Sequence, residues 1–196
     1  MISDKYTGHK FTAQSSELAV KLEDARAQLR MDDLRHDDTY KIWLIKSQVA
    51  LIERVYSVAF LTKTVEEYQS GFPVSSSLPI YLTIAPVSAI TSIKYVDSAG
   101  NEQTWSNSEY ESRITPTETY VIPKINYCYP SDLMIRPDAI RIVYTAGFGS
   151  VPSSVPDDYR LGILDRIGRA YTNREDSPES AYSMSDVLLQ PLKRWN

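Results

Sequence analysis

The chain has 196 residues, 42% apolar and 23% charged, with a formal net charge of −4. Such a composition buries a real core, enough for one domain or one domain with a sizeable insertion, and carries no basic footprint for tight nucleic-acid binding. A lone cysteine, Cys128, excludes an intrachain disulfide and a cysteine-based zinc cluster.

The opening MISDKYTGHK is polar, with no signal-peptide pattern, and no apolar run reaches membrane-spanning length, so a soluble chain made in a cytoplasm is expected. Residues 1–15 are patternless and read as a flexible arm. Ser16 is placed to cap a first helix, with Leu18, Leu22, Ala25 and Leu29 on one stripe and Lys21, Asp24 and Gln28 opposite. RMDDLRHDD breaks that pattern, and Asp37 or Asp38 suits the start of a second helix running from Tyr40 to about Leu61. Its apolar face (Leu44, Ile45, Val49, Leu51, Ile52, Val55, Tyr56, Val58, Ala59) covers half the circumference, wide enough to meet more than one neighbour.

Nine of the eleven prolines lie between Pro73 and Pro156, which excludes long helices there. LPIYLTI alternates like a strand, and AITSIKYVDSAGNEQTW reads as a hairpin turning at Asp97 to Asn101. SEYESRI and ETYVI pair across Thr115-Pro116, and AIRIVYT is a last strand. Together these predict a small β module of roughly five strands over residues 62–150. Helix returns after Pro156, with Asp157 and Asp158 at its positive end and Leu161, Leu164, Gly168 and Tyr171 on one stripe. Gly168 costs about 1 kcal/mol against Ala and predicts a close approach by another backbone. A short tail helix starts at Ser183 or Ser185 and is cut by Pro191. The expected fold is α+β: a helical body of residues 16–61 and 154–175, an inserted, mainly antiparallel β module, and a tail at 176–196.

Chemistry is hard to find in this chain. Gly147-Phe148-Gly149 lacks the third glycine of a dinucleotide loop and the Gly-Lys-Ser/Thr of a P-loop, and Pro152 and Pro156 remove amide donors a phosphate would need. Gly147, Gly149 and Pro152 read instead as a hinge from the last strand into the helix. The pairs Asp32-Asp33, Asp37-Asp38 and Asp157-Asp158 suit capping better than catalysis. His9 and His36 have no partner at ligand spacing, and Cys128 reads as a small core residue. No catalytic, cofactor-binding or metal-ligating residue is assigned. Arg160, Arg166, Arg169 and Arg174 are interleaved with Asp165, and some of them suit a protein interface.

Four stretches in order resemble the head–tail connector (adaptor, or head-completion) proteins of long-tailed bacteriophages and gene-transfer particles. They are LAVKLEDARAQLRMDD, DDTYKIWLIKSQVALIERVYSVAFLTKTVEEY, IAPVSAITSIKYVDSAGN and IRIVYTAGFGSVPSSVPDDYRLGILDRIGRAYTNRE, followed by a Leu-Leu-x-Pro tail in LLQPLK. Tyr40 follows the helix-opening aspartates more closely than is usual in the family, and Lys193 stands where Arg is common. The resemblance implies a non-enzymatic neck protein of the virion. It would form a ring, usually twelvefold, beneath the portal protein, extend the channel for double-stranded DNA, and dock a stopper or tail-terminator protein, without cofactor or membrane contact. On that reading Tyr56, Arg160, Arg166, Gly168 and Arg169 are ring-interface candidates. Val187, Leu188, Leu189, Leu192, Lys193 and Trp195 are portal-contact candidates, having too little local core to bury in unless the tail folds back on the second helix. The alternatives are another neck or tail-completion ring protein, a small hydrolase built on the glycine turn, or a peptide-binding module using a strand edge.

Overall fold

A computed structural model describes residues 6–29, 38–115, 118–172 and 184–192. The elements are β1 (Tyr6–Gln14), α1 (Leu22–Gln28), α2 (Asp38–Tyr56), β2 (Lys63–Gln69), β3 (Ile80–Tyr81), β4 (Val87–Val96), β5 (Glu102–Trp105), β6 (Tyr110–Ile114), β7 (Thr119–Pro123), β8 (Ile140–Ala146), α3 (Asp157–Thr172) and α4 (Met184–Leu189). Short 3-10 turns lie at Pro152–Ser154 and Gln190–Leu192. The described chain divides into a β unit, residues 6–14 and 62–147, and a helical unit, residues 15–61 and 148–192.

This corrects the expected helical body with a small inserted β module. Strand and helix take similar shares, about 31% and 33%, and the strands form two antiparallel sheets. The first has five strands in the order β1-β2-β8-β4-β5, and the second has three in the order β3-β7-β6. The segment expected as a flexible arm is β1, which pairs with β2 from Tyr6↔Gln69 to Gln14↔Lys63. No alternation betrays it because it is an edge strand whose side chains from His9 to Ala13 are exposed, so its hold comes from ladder hydrogen bonds rather than from an apolar face. β2 is masked for a related reason: its inward positions are Val65, Glu67 and Gln69, only one of them apolar.

The inward face of the larger sheet is built on β8, where Ile140, Ile142, Tyr144 and Ala146 alternate into the core. Glu67 is fully buried there, with no ion-pair partner among the described residues. Its carboxylate accepts hydrogen bonds from the Tyr144 hydroxyl (2.9 Å), the Thr83 amide (3.0 Å) and hydroxyl (2.8 Å), and the Gln69 amide (3.2 Å). Such satisfaction offsets the cost of taking a carboxyl group out of water. Burial, then the Glu67 charge, push the Tyr144 hydroxyl pKa well up. Phe72, Tyr95, Trp105, Tyr110 and Tyr129 form an aromatic cluster in the same unit, with Trp105 and Tyr110 ring centres 4.8 Å apart. The hairpin turn falls where expected. The Asp97 carboxylate accepts the Asn101 amide (2.8 Å), the Gly100 amide donates to the Asp97 carbonyl (2.9 Å), and Gly100 takes φ +87°.

The helical unit gathers Ala25 of α1, Leu44, Ile45 and Ile52 of α2, Ile163 and Ile167 of α3 and Leu189 of α4 around one core. Each buried aliphatic side chain of this size contributes about 1.5–3 kcal/mol. Two helices are shorter than their patterns predict. α1 begins at Leu22, because residues 15–20 form a turn in which the Ser15 hydroxyl accepts the Glu17 amide (3.2 Å) while Ala19 and Val20 enter the core. α2 stops at Tyr56: Ser57 adopts φ +52°, the Val58 amide donates to the Glu53 carbonyl (3.1 Å), and the Glu53 carboxylate takes the Phe60 amide (3.0 Å). Val58, Ala59, Phe60 and Leu61 are buried as an extended exit rather than as a helical face, and Val55 is exposed. The wide apolar face was two structures read as one.

Candidate assembly surface

The sequence-predicted residues concentrate on α3, so the site is built outward from it. Asp157 and Asp158 follow Pro156 at its positive end, and Asp157 pairs with Arg160 one turn on. Asp165 accepts hydrogen bonds from Arg169 (3.1 Å) and from the Ser185 amide of α4 (3.1 Å), while Arg166 lies 3.4 Å from Asp186 of α4. Gly162 completes the seam. A Cβ there would meet Leu189 at 3.1 and 3.2 Å, so the missing side chain is what seats α4. Sequence reading passed over Gly162 because it lies off the Leu161–Tyr171 stripe; its spacing of three from Asp165 was the available signal.

That seam corrects the tail. Leu189 is fully buried and Ser185 with it, and Leu192 packs on the same core, so the tail has a local partner, which is α3 rather than the second helix. Val187, 60% exposed, and Met184, 56% exposed, point away from it, and Leu188 is half-buried. Lys193 and Trp195 lie outside the described residues, as do Asp32, Asp33, His36, Asp37 and Arg174. Among the ring candidates, Arg166 and Arg169 are engaged within the chain and Tyr56 packs against the helical core. Gly168 makes no tight approach: a Cβ there would sit 3.8 Å from the Gln28 side chain, an ordinary contact.

The other flank of α3 faces α1 across an open groove of ≈ 450 Å³, lined by Asp24, Ala27 and Gln28 of α1 and Asp157, Arg160, Leu161 and Leu164 of α3. Leu161 is 41% exposed in it. The Arg160 Nε–H is buried and has no hydrogen-bond partner among the described residues, although the same guanidinium pairs with Asp157.

The glycine turn uses its amides internally. Gly147, at φ +127°, donates to the Pro86 carbonyl (2.8 Å), and the Phe148 amide donates to the Phe60 carbonyl (3.1 Å). Gly149 bridges Leu61, and a Cβ on it would lie 2.4 Å from Ser154. The amides of Ser154 and Val155 go to Val151 and Pro152. Little is left to cradle a phosphate. Asp38 opens α2 and pairs with Arg26 and Lys41; the Arg26 hydrogen bond holds its carboxyl below the usual range. Cys128 is exposed, not a core residue, because Tyr129 beside it takes the inward position. Among the described residues no three His, Cys, Asp or Glu side chains converge as a metal site, and no helix is long and apolar enough to cross a membrane.

Neither a protein-family model nor a curated protein matches the chain. Solved structures do, over almost its whole length. A chain in the neck of an empty gene transfer agent (GTA) particle, computed with C6 symmetry, is 20% identical with a TM-score of 0.80, covering 97% of both chains. A chain in the virion of a native gene transfer agent particle gives the same values. One in the neck of a native GTA particle, computed with C12 symmetry, is 18% identical with a TM-score of 0.78 over 97% of each. At that identity the likeness is one of fold, and it takes in the β unit and the helical unit alike.

Proposed function

We propose that this chain is a structural connector of a phage-like virion neck, assembling as a closed ring, twelvefold in the reading favoured here, around a DNA channel. One observation carries this: the match to neck chains spans 97% of both partners, so both units and the connections between them are shared. A fold hosts many functions, but agreement across two units of different architecture narrows them. The acid balance of the chain suits the wall of a channel, since a strongly basic lining would hold the phosphates of passing DNA. Portal contact is given to the tail, through the exposed Val187, the half-buried Leu188, and Lys193 and Trp195. A stopper or tail-terminator protein would dock at the far end of the ring. The turn at Gly147, Gly149 and Pro152, where the two units meet along the chain, serves as the hinge.

Co-expression with a portal protein, followed by size-exclusion with light scattering and negative-stain imaging, tests the reading. Annular particles with an open centre, free or seated on the portal, are expected. A chain that remains monomeric with and without portal overturns it. Val187→Asp and removal of residues 193–196 should weaken portal capture while leaving thermal unfolding unchanged. Deleting residues 186–196 would instead unfold part of the helical unit, because Leu189 belongs to its core and Leu192 packs against it.

A further inference from the structure

Helix α2 carries a feature that its inward face does not use. Trp43 is 63% exposed, with Tyr40 beside it at 6.1 Å between ring centres. Lys46 and Ala50 follow at one and two turns, both exposed, so Trp43, Lys46 and Ala50 make one outward stripe. A solvent-facing indole is a poor surface residue and a frequent anchor of interfaces, where it fills a pocket at the centre of the contact.

The pocket exists on the same unit. α1, α2 and α3 contact one another pairwise, so the three pack as a triangle. The groove is lined by α1 and α3 alone and therefore opens away from α2. α2 turns Leu44, Ile45 and Ile52 inward and Trp43 outward, away from the groove. Knob and hole thus sit on opposite faces of one protomer, which is the geometry of a head-to-tail contact that repeats and closes. Resting on the ring reading above, we propose that the Trp43 stripe of one copy inserts into the α1–α3 groove of the next.

The chemistry fits that occupant. Ala27, Leu161 and Leu164 offer an apolar floor for the indole. The Arg160 guanidinium, paired with Asp157 but still partly exposed, offers a cation to the electron-rich face of the ring. Lys46 and the half-buried Asp24 each lack an ion-pair partner among the described residues, and the insertion brings opposite charges together.

The test uses the full chain at high concentration. Trp43→Cys and Leu161→Cys are combined in a Cys128→Ser background and oxidised. A ladder of intermolecular disulfides is expected from the double variant and a disulfide-linked dimer from a mixture of the two single variants, whose chains carry one thiol each; neither single variant alone should give that dimer. Trp43→Ala and Leu161→Glu should each weaken self-association by about tenfold or more in sedimentation. Lys46→Asp should weaken it too, and Asp24→Lys combined with Lys46→Asp should restore it. Rings that form unchanged in Trp43→Ala and Leu161→Glu and give no ladder overturn this interface while leaving the connector reading intact. A wild-type chain that never self-associates overturns both. Rings unaffected by Trp43→Ala in which Trp43 is shielded only when another neck protein is added assign the stripe to that protein and overturn the proposal as well.

Discussion

Gly149 has no room for a methyl group, since a Cβ would lie 2.4 Å from both Cβ and Oγ of Ser154. Gly168 has room to spare, its nearest neighbour being the Gln28 side chain at 3.8 Å. Gly149→Ala should therefore destabilise the chain by about 1–3 kcal/mol through forced overlap. Gly168→Ala should stabilise it by roughly 1 kcal/mol through helix propensity. Urea midpoints at constant slope decide both signs, and a Gly168→Ala variant that loses stability would restore that glycine as a point of close approach. From sequence, Gly149 reads as part of a hinge and Gly168 as the point of close approach, whereas the close approach lies at Gly149. Whether a Cβ clashes depends on a neighbour that is distant along the chain or folded back on it, and residue type carries no record of that distance.

At the scale of elements, the tail helix is the instructive case. Its pattern, LLQPL, announces an apolar segment but not its partner, because the partner surface is created by the absence of a side chain at Gly162. Leu189→Ala should cost about 2–5 kcal/mol by leaving a cavity against α3. It should also release α4, seen as faster hydrogen exchange at residues 184–192 with the α2 amides still protected. Unchanged exchange there would mean that α4 is not held by Leu189. The misjudged length of α2 has a similar origin. Val58 to Leu61 continue an apolar run, and periodicity cannot distinguish a helical face from a buried extended exit once every position is apolar. Glu53 settles the matter by capturing the Phe60 amide, a contact seven residues long that no helical wheel displays.

Across the whole molecule, acid sensitivity should be unequal. In the β unit the Lys10 hydrogen bond lowers the Glu66 pKa, Gln103 lowers that of Asp97, Lys94 that of Glu102 and Arg136 that of Asp138. Among the described residues of the helical unit only Asp38 is lowered, by Arg26. A carboxyl whose folded pKa lies below its unfolded value contributes stability that is complete above about pH 4–5 and fades as pH falls through the folded value. The β unit should therefore lose stability first below about pH 4. With Trp43 and Trp195 replaced by Phe, Trp105 in the aromatic cluster reports that unit, and its fluorescence should change at a higher pH than helical ellipticity does. Coincident transitions would show that the two units titrate together. The family resemblance, by contrast, was legible at this scale: four motifs in order pointed to a connector, and solved neck chains share the fold end to end.

The sequence by itself determined the elements whose signals are local. The Asp97–Asn101 hairpin, the proline-delimited β region and the aspartate-led α3 all follow from turn chemistry, ring constraints and dipole matching within a few residues. Only the tertiary structure decided that residues 6–14 are a strand, that Glu67 can be buried among hydrogen-bond donors, that α4 seats on Gly162 and that the α1–α3 groove stays open. Each of these depends on groups far apart in the chain supplying hydrogen bonds, space or nothing at all, and such pairings are set by packing rather than by pattern.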